Sequence, residues 1–108
     1  MKKVYIAHPF RDNPPGNLNT VGRICKGIIR GYPDIIPVSP LHLFCYLPPE
    51  EDVMDRCLEV MASCDEVWFY GDWVKSEGCR MEYQKAVNLN IPAVDKNIYE
   101  NRIEVGYD

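Results

Sequence analysis

No apolar run in the 108 residues comes near the roughly 20 that a membrane-spanning helix requires, so no membrane segment is expected. Positive charge is in the minority, with 12 Lys and Arg against 16 Asp and Glu. Binding to a nucleic acid polymer needs a basic face that neutralises phosphates, and this chain is not expected to have one. Histidine is scarce, with two residues, and the five cysteines at 25, 45, 57, 64 and 79 contain no C-x-x-C pair. Such spacing offers neither a zinc site nor a disulfide framework, so no metal, no other cofactor and reduced thiols are expected. Repeats, low-complexity segments and linkers are also missing. Two halves of about 50 residues would each make a marginal core, so residues 1–108 read as a single domain. The start "MKKVYIAHPF" has the lysines of a leader peptide, but its apolar part is short and runs at once into His8 and Pro9. It reads as the first strand of an unexported, cytoplasmic chain.

What the sequence does contain is an alternation of apolar strands and one-faced helices. "KVYIA" (3–7), "DIIPVSP", "DEVWFYG" and "IPAVD" are the strand candidates. From Asn17 to Tyr32, Val21, Ile24, Cys25, Ile28 and Ile29 recur at helical spacing, with Asn17, Asn19 and Thr20 as possible N-caps. A second helix is expected from about Pro49 to Ser63, with Val53, Cys57, Val60, Met61 and Cys64 on one face, and a third from about Glu77 to Leu89. The order β-α-β-α-β-α-β predicts a flavodoxin/Rossmann-like three-layer α/β fold. Its parallel sheet would have four or five strands in the order 2-1-3-4, the tail 98–108 being either a fifth, edge strand or an arm reaching a neighbouring subunit. Ligands of such sheets bind outside the carboxyl ends of the strands. The loops there begin "HPFRDNPPGN", "SPLHLFCY" and "GDWVKSEG".

The stretch "GDWVKSEGCRMEYQKA" (71–86) places Glu82 inside the third helix. Cys79, Tyr83, Ala86 and Val87 form its expected core face, with Glu82 on the flank of that stripe. Helical side chains lean toward the N-terminus, which would carry Glu82 back to the carboxyl edge of the sheet. Periodicity leaves two readings open: a crevice carboxylate, or a solvated partner of Lys85 or Arg80. His8 and His42 end the first two strands as crevice residues or as ordinary hydrogen-bonded loop histidines. Phe10 and Trp73 either stack on a base or pack their own loops.

"VYIAHPFR", "CDEVWFYG" and the run Ser76-x-Gly78-x-x-x-Glu82-x-x-x-Ala86 resemble the nucleoside 2-deoxyribosyltransferase superfamily, including relatives that hydrolyse deoxynucleoside 5′-monophosphates. The resemblance spans roughly residues 3 to 95. It implies that Glu82 is the nucleophile that attacks the anomeric carbon, and that Tyr5 hydrogen-bonds and holds this carboxylate. It further implies that Ser76 and the amides around Gly78 contact sugar or 5′-phosphate. Arg11, in the loop His8-Pro9-Phe10-Arg11, falls where the phosphate-hydrolysing relatives carry a basic residue. The ligand would then be a nucleoside or nucleotide, and the assembly a homodimer or higher homo-oligomer.

One position departs from the pattern. Cys57 stands where those enzymes carry the aspartate that protonates the leaving base. Asp55 lies about 160° from the centre of its helix's apolar face and is expected in solvent. On grounds of position alone, Asp72, His8 and His42 are the candidate substitutes. N-glycosidic cleavage or transfer through Glu82 is therefore weighed against a noncatalytic nucleotide-binding or sequestering module. A third reading is a flavodoxin-like domain with Trp73 over a flavin.

Overall fold

In a computed structural model describing residues 1–97, four strands form one parallel sheet in the order β2-β1-β3-β4: β1 (Lys2–Ala7), β2 (Ile35–Val38), β3 (Glu66–Phe69) and β4 (Ala93–Asp95). This is the expected α/β class and strand order. The tail proposed as a fifth strand lies outside the described residues. The helices are α1 (Pro14–Gly31), α2 (Pro40–Leu43), α3 (Met54–Ala62) and α4 (Glu77–Asn88), with a 3₁₀ turn at Trp73–Lys75.

The strand period of two divides the core between the sheet faces. Val4, Ile6 and Trp68 face the α1 side with Val21 and Ile28. Tyr5, Ala7, Val67 and Phe69 face α3 and α4, where they meet Cys57, Met61, Cys79 and Ala86. Val4, Tyr5, Ile6 and Ala7 have no exposed surface, as expected of a central strand covered on both faces. This alternation places Tyr5 on the α4 side.

Two helical boundaries and one core position differ from the sequence expectation. Helix α1 starts earlier, because Asn13 rather than Asn17, Asn19 or Thr20 caps it, accepting from the Gly16 amide at 3.3 Å. The two prolines that follow fit a first helical turn, where amide donors have no helical partner. Helix α3 starts later than Pro49, because Pro48 closes a turn with the Glu51 amide. Asp52 Oδ1 then accepts from the Met54 amide at 2.9 Å, a local bond that competes with helix propagation upstream. Ile29, expected in the core, is 62% exposed, since α1 presents Val21 and Ile28 to the sheet instead. Among the described residues no helix is long and apolar enough to cross a membrane.

Candidate active site

The chain leaves β1 for α1 over one side of the sheet and later enters β3 on the other side of β1, so the reversal of strand order lies between β1 and β3. A cavity of about 690 Å³ opens there, beyond the carboxyl ends of the strands, within the size range of small-molecule sites. From the loop after β1 it is lined by His8, Pro9, Phe10 and Arg11. Asp72 enters from the loop after β3, and Ser76, Gly78 and Glu82 from the start of α4.

Glu82 is 5% exposed, and the buried stripe of α4 is Cys79, Glu82 and Ala86. Tyr83 and Val87, expected on that stripe, are 43% and 49% exposed. The carboxylate thus lies within the inward stripe, not on its flank. The Tyr5 hydroxyl donates to Glu82 Oε2, and the Cys79 thiol donates to the same carboxylate. Burial pushes the Glu82 carboxyl up to about 7, against the pull of these two donors, which favour the anion. Burial, with the Glu82 charge adding to it, raises Tyr5 well above the usual phenol range. The same two causes, in the same order, push the Cys79 thiol to about 12 and that of Cys57, also on the cavity wall, to about 11.

Ser76 is the N-cap of α4, its Oγ accepting from the Cys79 amide at 3.3 Å. Gly78 is where α3 and α4 approach closely: an added Cβ would stand 2.9 Å from Met54 Cε. His8 Nδ1 donates to the Pro9 carbonyl at 2.7 Å, and the ring edge bearing Nε2 lies against Gly71. Gly71 has φ 67°, and Asn97 clamps it, donating from Nδ2 to its carbonyl at 2.7 Å and accepting from its amide at 3.2 Å. A Cβ here would lie 2.9 Å from His8 Nε2. Gly71→Ala is therefore expected to destabilise the fold by about 1–2 kcal/mol, through left-handed strain and the contact with the ring. A lowered urea midpoint at unchanged slope would register it; an unchanged midpoint would contradict it.

Two of the expected residues lie elsewhere. His42 is not on this cavity's wall: its Nδ1 pairs with Ser39 Oγ at 2.7 Å, and it lines a separate groove with Gly22, Cys25 and Ile29. It is drawn there because α2 begins immediately after β2 and turns the side chain toward α1. Trp73 is not on the cavity wall either. Its ring lies 4.6 Å from Phe69 and 5.5 Å from Tyr83, centroid to centroid, so its loop position packs the core edge instead of offering a platform for a base or flavin. Asp55 is exposed, as expected.

The residues that sequence reading missed come chiefly from the connection 40–54. Phe44, Leu47 and Val53 supply apolar wall, and Asp52 lies beside them. The signal was present in "LHLFCYLPPEED", where apolar residues recur in a segment too proline-rich for a regular helix. Among the described residues no group of three or more His, Cys, Asp or Glu is arranged to hold a metal ion.

A family model described as "Domain of unknown function (DUF7768)" matches residues 2–96. The chain belongs to this family. The DUF7768 match runs from β1 through β4 and so includes both members of the Tyr5–Glu82 pair. Comparison with curated proteins and with solved structures found no match.

Proposed function

We propose that the chain cleaves or transfers the N-glycosidic bond of a nucleoside or nucleoside 5′-monophosphate, with Glu82 as nucleophile. The observation that carries this reading is a buried carboxylate, held by a buried tyrosine hydroxyl, on the wall of a ligand-sized cavity at the sheet's switch point. Burying a carboxylate is costly, and among the described residues no buried cation repays it, which argues for a chemical use. In its ionised form Glu82 would attack the anomeric carbon as the base departs, giving a glycosyl ester that water or an acceptor base then resolves. Tyr5 would fix the attacking oxygen. The resemblance of Tyr5, Ser76, Gly78 and Glu82 to nucleoside 2-deoxyribosyltransferases supports the same assignment. By that resemblance the working form is a cytoplasmic homodimer or higher oligomer.

Cys57 favours a second reading, a noncatalytic nucleotide-binding module. With its thiol near 11, Cys57 is a poor proton donor to a departing base at neutral pH. Chromatography of free base separates the two, using ribo- and deoxyribonucleosides and their 5′-monophosphates with Glu82→Gln protein alongside. Release by the native protein alone is the expected result. Thermal stabilisation by a nucleotide with no base released from any substrate would replace the first reading with the second.

A further inference from the structure

The cavity's charge is lopsided. Among the described residues lining it, Asp12, Glu51, Asp52, Asp72, Glu77 and Glu82 are carboxylic, while Arg11 and Lys75 are the permanent cations. Lys75 is tied to Asp72 at 3.3 Å. Apart from Glu82 these wall charges are solvent-exposed, and a cleft whose rim carries mainly one sign of charge raises the local concentration of ligands of the opposite sign at low salt. A 5′-phosphate would enter this one against five carboxylates at its walls and a sixth at its reacting centre.

The reacting centre is also short of transferable protons: of the wall residues placed to supply one, Asp72 is paired with Lys75 and His8 Nδ1 donates to the Pro9 carbonyl. The Tyr5 hydroxyl and the Cys79 thiol both donate to Glu82 itself, and Cys57 is a thiol where an acid would be useful. Protonation of the leaving base matters when that base departs as an anion. A base that starts as a cation departs neutral, and needs no proton.

We infer that the cavity takes a nucleoside whose base already carries positive charge and whose sugar lacks a 5′-phosphate: a pyridinium nucleoside or an N-alkylated purine nucleoside. This rests on the reading of Glu82 as nucleophile. A Glu82 oxygen bonds to C1′ while the C1′–N bond breaks, and the bonding pair moves onto the ring nitrogen, cancelling its charge. Water then adds at C1′, Glu82 leaves as carboxylate, and one proton passes to solvent. The products are neutral base, free sugar and H⁺, with no co-reactant beyond water.

The test compares 7-methylguanosine with guanosine, and nicotinamide riboside with its 5′-monophosphate, following base release by the native protein. The cationic nucleosides are expected to exceed guanosine by about 10²-fold or more in kcat/KM, the scale of the general-acid assistance they make unnecessary. The 5′-phosphate is expected to lower kcat/KM about tenfold or more. Because a cationic base is the better leaving group even in water, binding is measured separately by calorimetry on Glu82→Gln protein, where turnover is blocked. 7-Methylguanosine should bind severalfold more tightly than guanosine at low salt, and the difference should shrink at high salt. Equal dissociation constants, or a 5′-monophosphate cleaved as well as its nucleoside, would overturn the inference and leave Glu82 as nucleophile untouched. No base released from any substrate would remove both.

Discussion

On the proposed glycosyl-transfer reading, Glu82→Gln protein is expected to release base at least about 10³-fold more slowly than the native protein. Glutamine keeps the size of the side chain and still accepts from Tyr5, so the pocket's shape is preserved while the nucleophile is removed. On that reading the native activity should rise with pH through about 7, since the ionised form would be the nucleophile and burial holds the carboxyl near that value. Mass spectrometry of native protein quenched during turnover should find the sugar on the peptide containing Glu82. Full activity in the glutamine protein would eliminate the glycosyl-ester mechanism.

The same substitution is expected to make the fold more stable. A carboxyl raised to about 7 in the folded state, against about 4.3 when unfolded, penalises folding once it must ionise. Stability linked to Glu82 is fully present below about pH 4.3 and is lost as pH rises through about 7. The full penalty is about 4 kcal/mol. Glutamine does not ionise, so the variant should melt on the order of 10 °C higher than native protein at pH 8 and converge with it near pH 4. A constant difference across that range would mean that Glu82 titrates no differently in the two states. Activity lost and stability gained from one substitution would mark Glu82 as a residue retained for chemistry at the expense of the fold.

The alternation of "KVYIA", "DEVWFYG" and "IPAVD" with one-faced helices was enough to predict the parallel sheet and its order. Each segment carries its own periodicity, and right-handed crossovers leave few ways to join them. Glu82 was legible as a candidate through its spacing from Ser76 and Gly78. Its place in the packed stripe was not, because a hydrophobic period assigns apolar Tyr83 and Val87 inward and a carboxylate outward. The structure reverses that order: Tyr83 stays partly exposed beside Trp73, and Glu82 takes the inward position facing Tyr5. Likewise "DWVK" reads as a loop at the strand's carboxyl end, and nothing local says that Trp73 will fold back on Phe69. Contacts between elements decide such positions, and a one-dimensional pattern does not contain them.

The Tyr5–Glu82 hydrogen bond joins residues 77 apart in the chain. Its two ends belong to the first strand and the last helix described, so no local segment contains the pair. Both sheet neighbours of β1 and the docking of α4 must be in place before the phenol can meet the carboxylate, which makes this a contact of high loop-closure cost. A growing polypeptide therefore lacks the Tyr5–Glu82 pair until α4 has been synthesised. A collapsed intermediate with native helices but loose packing would leave Glu82 hydrated, titrating as an ordinary surface acid.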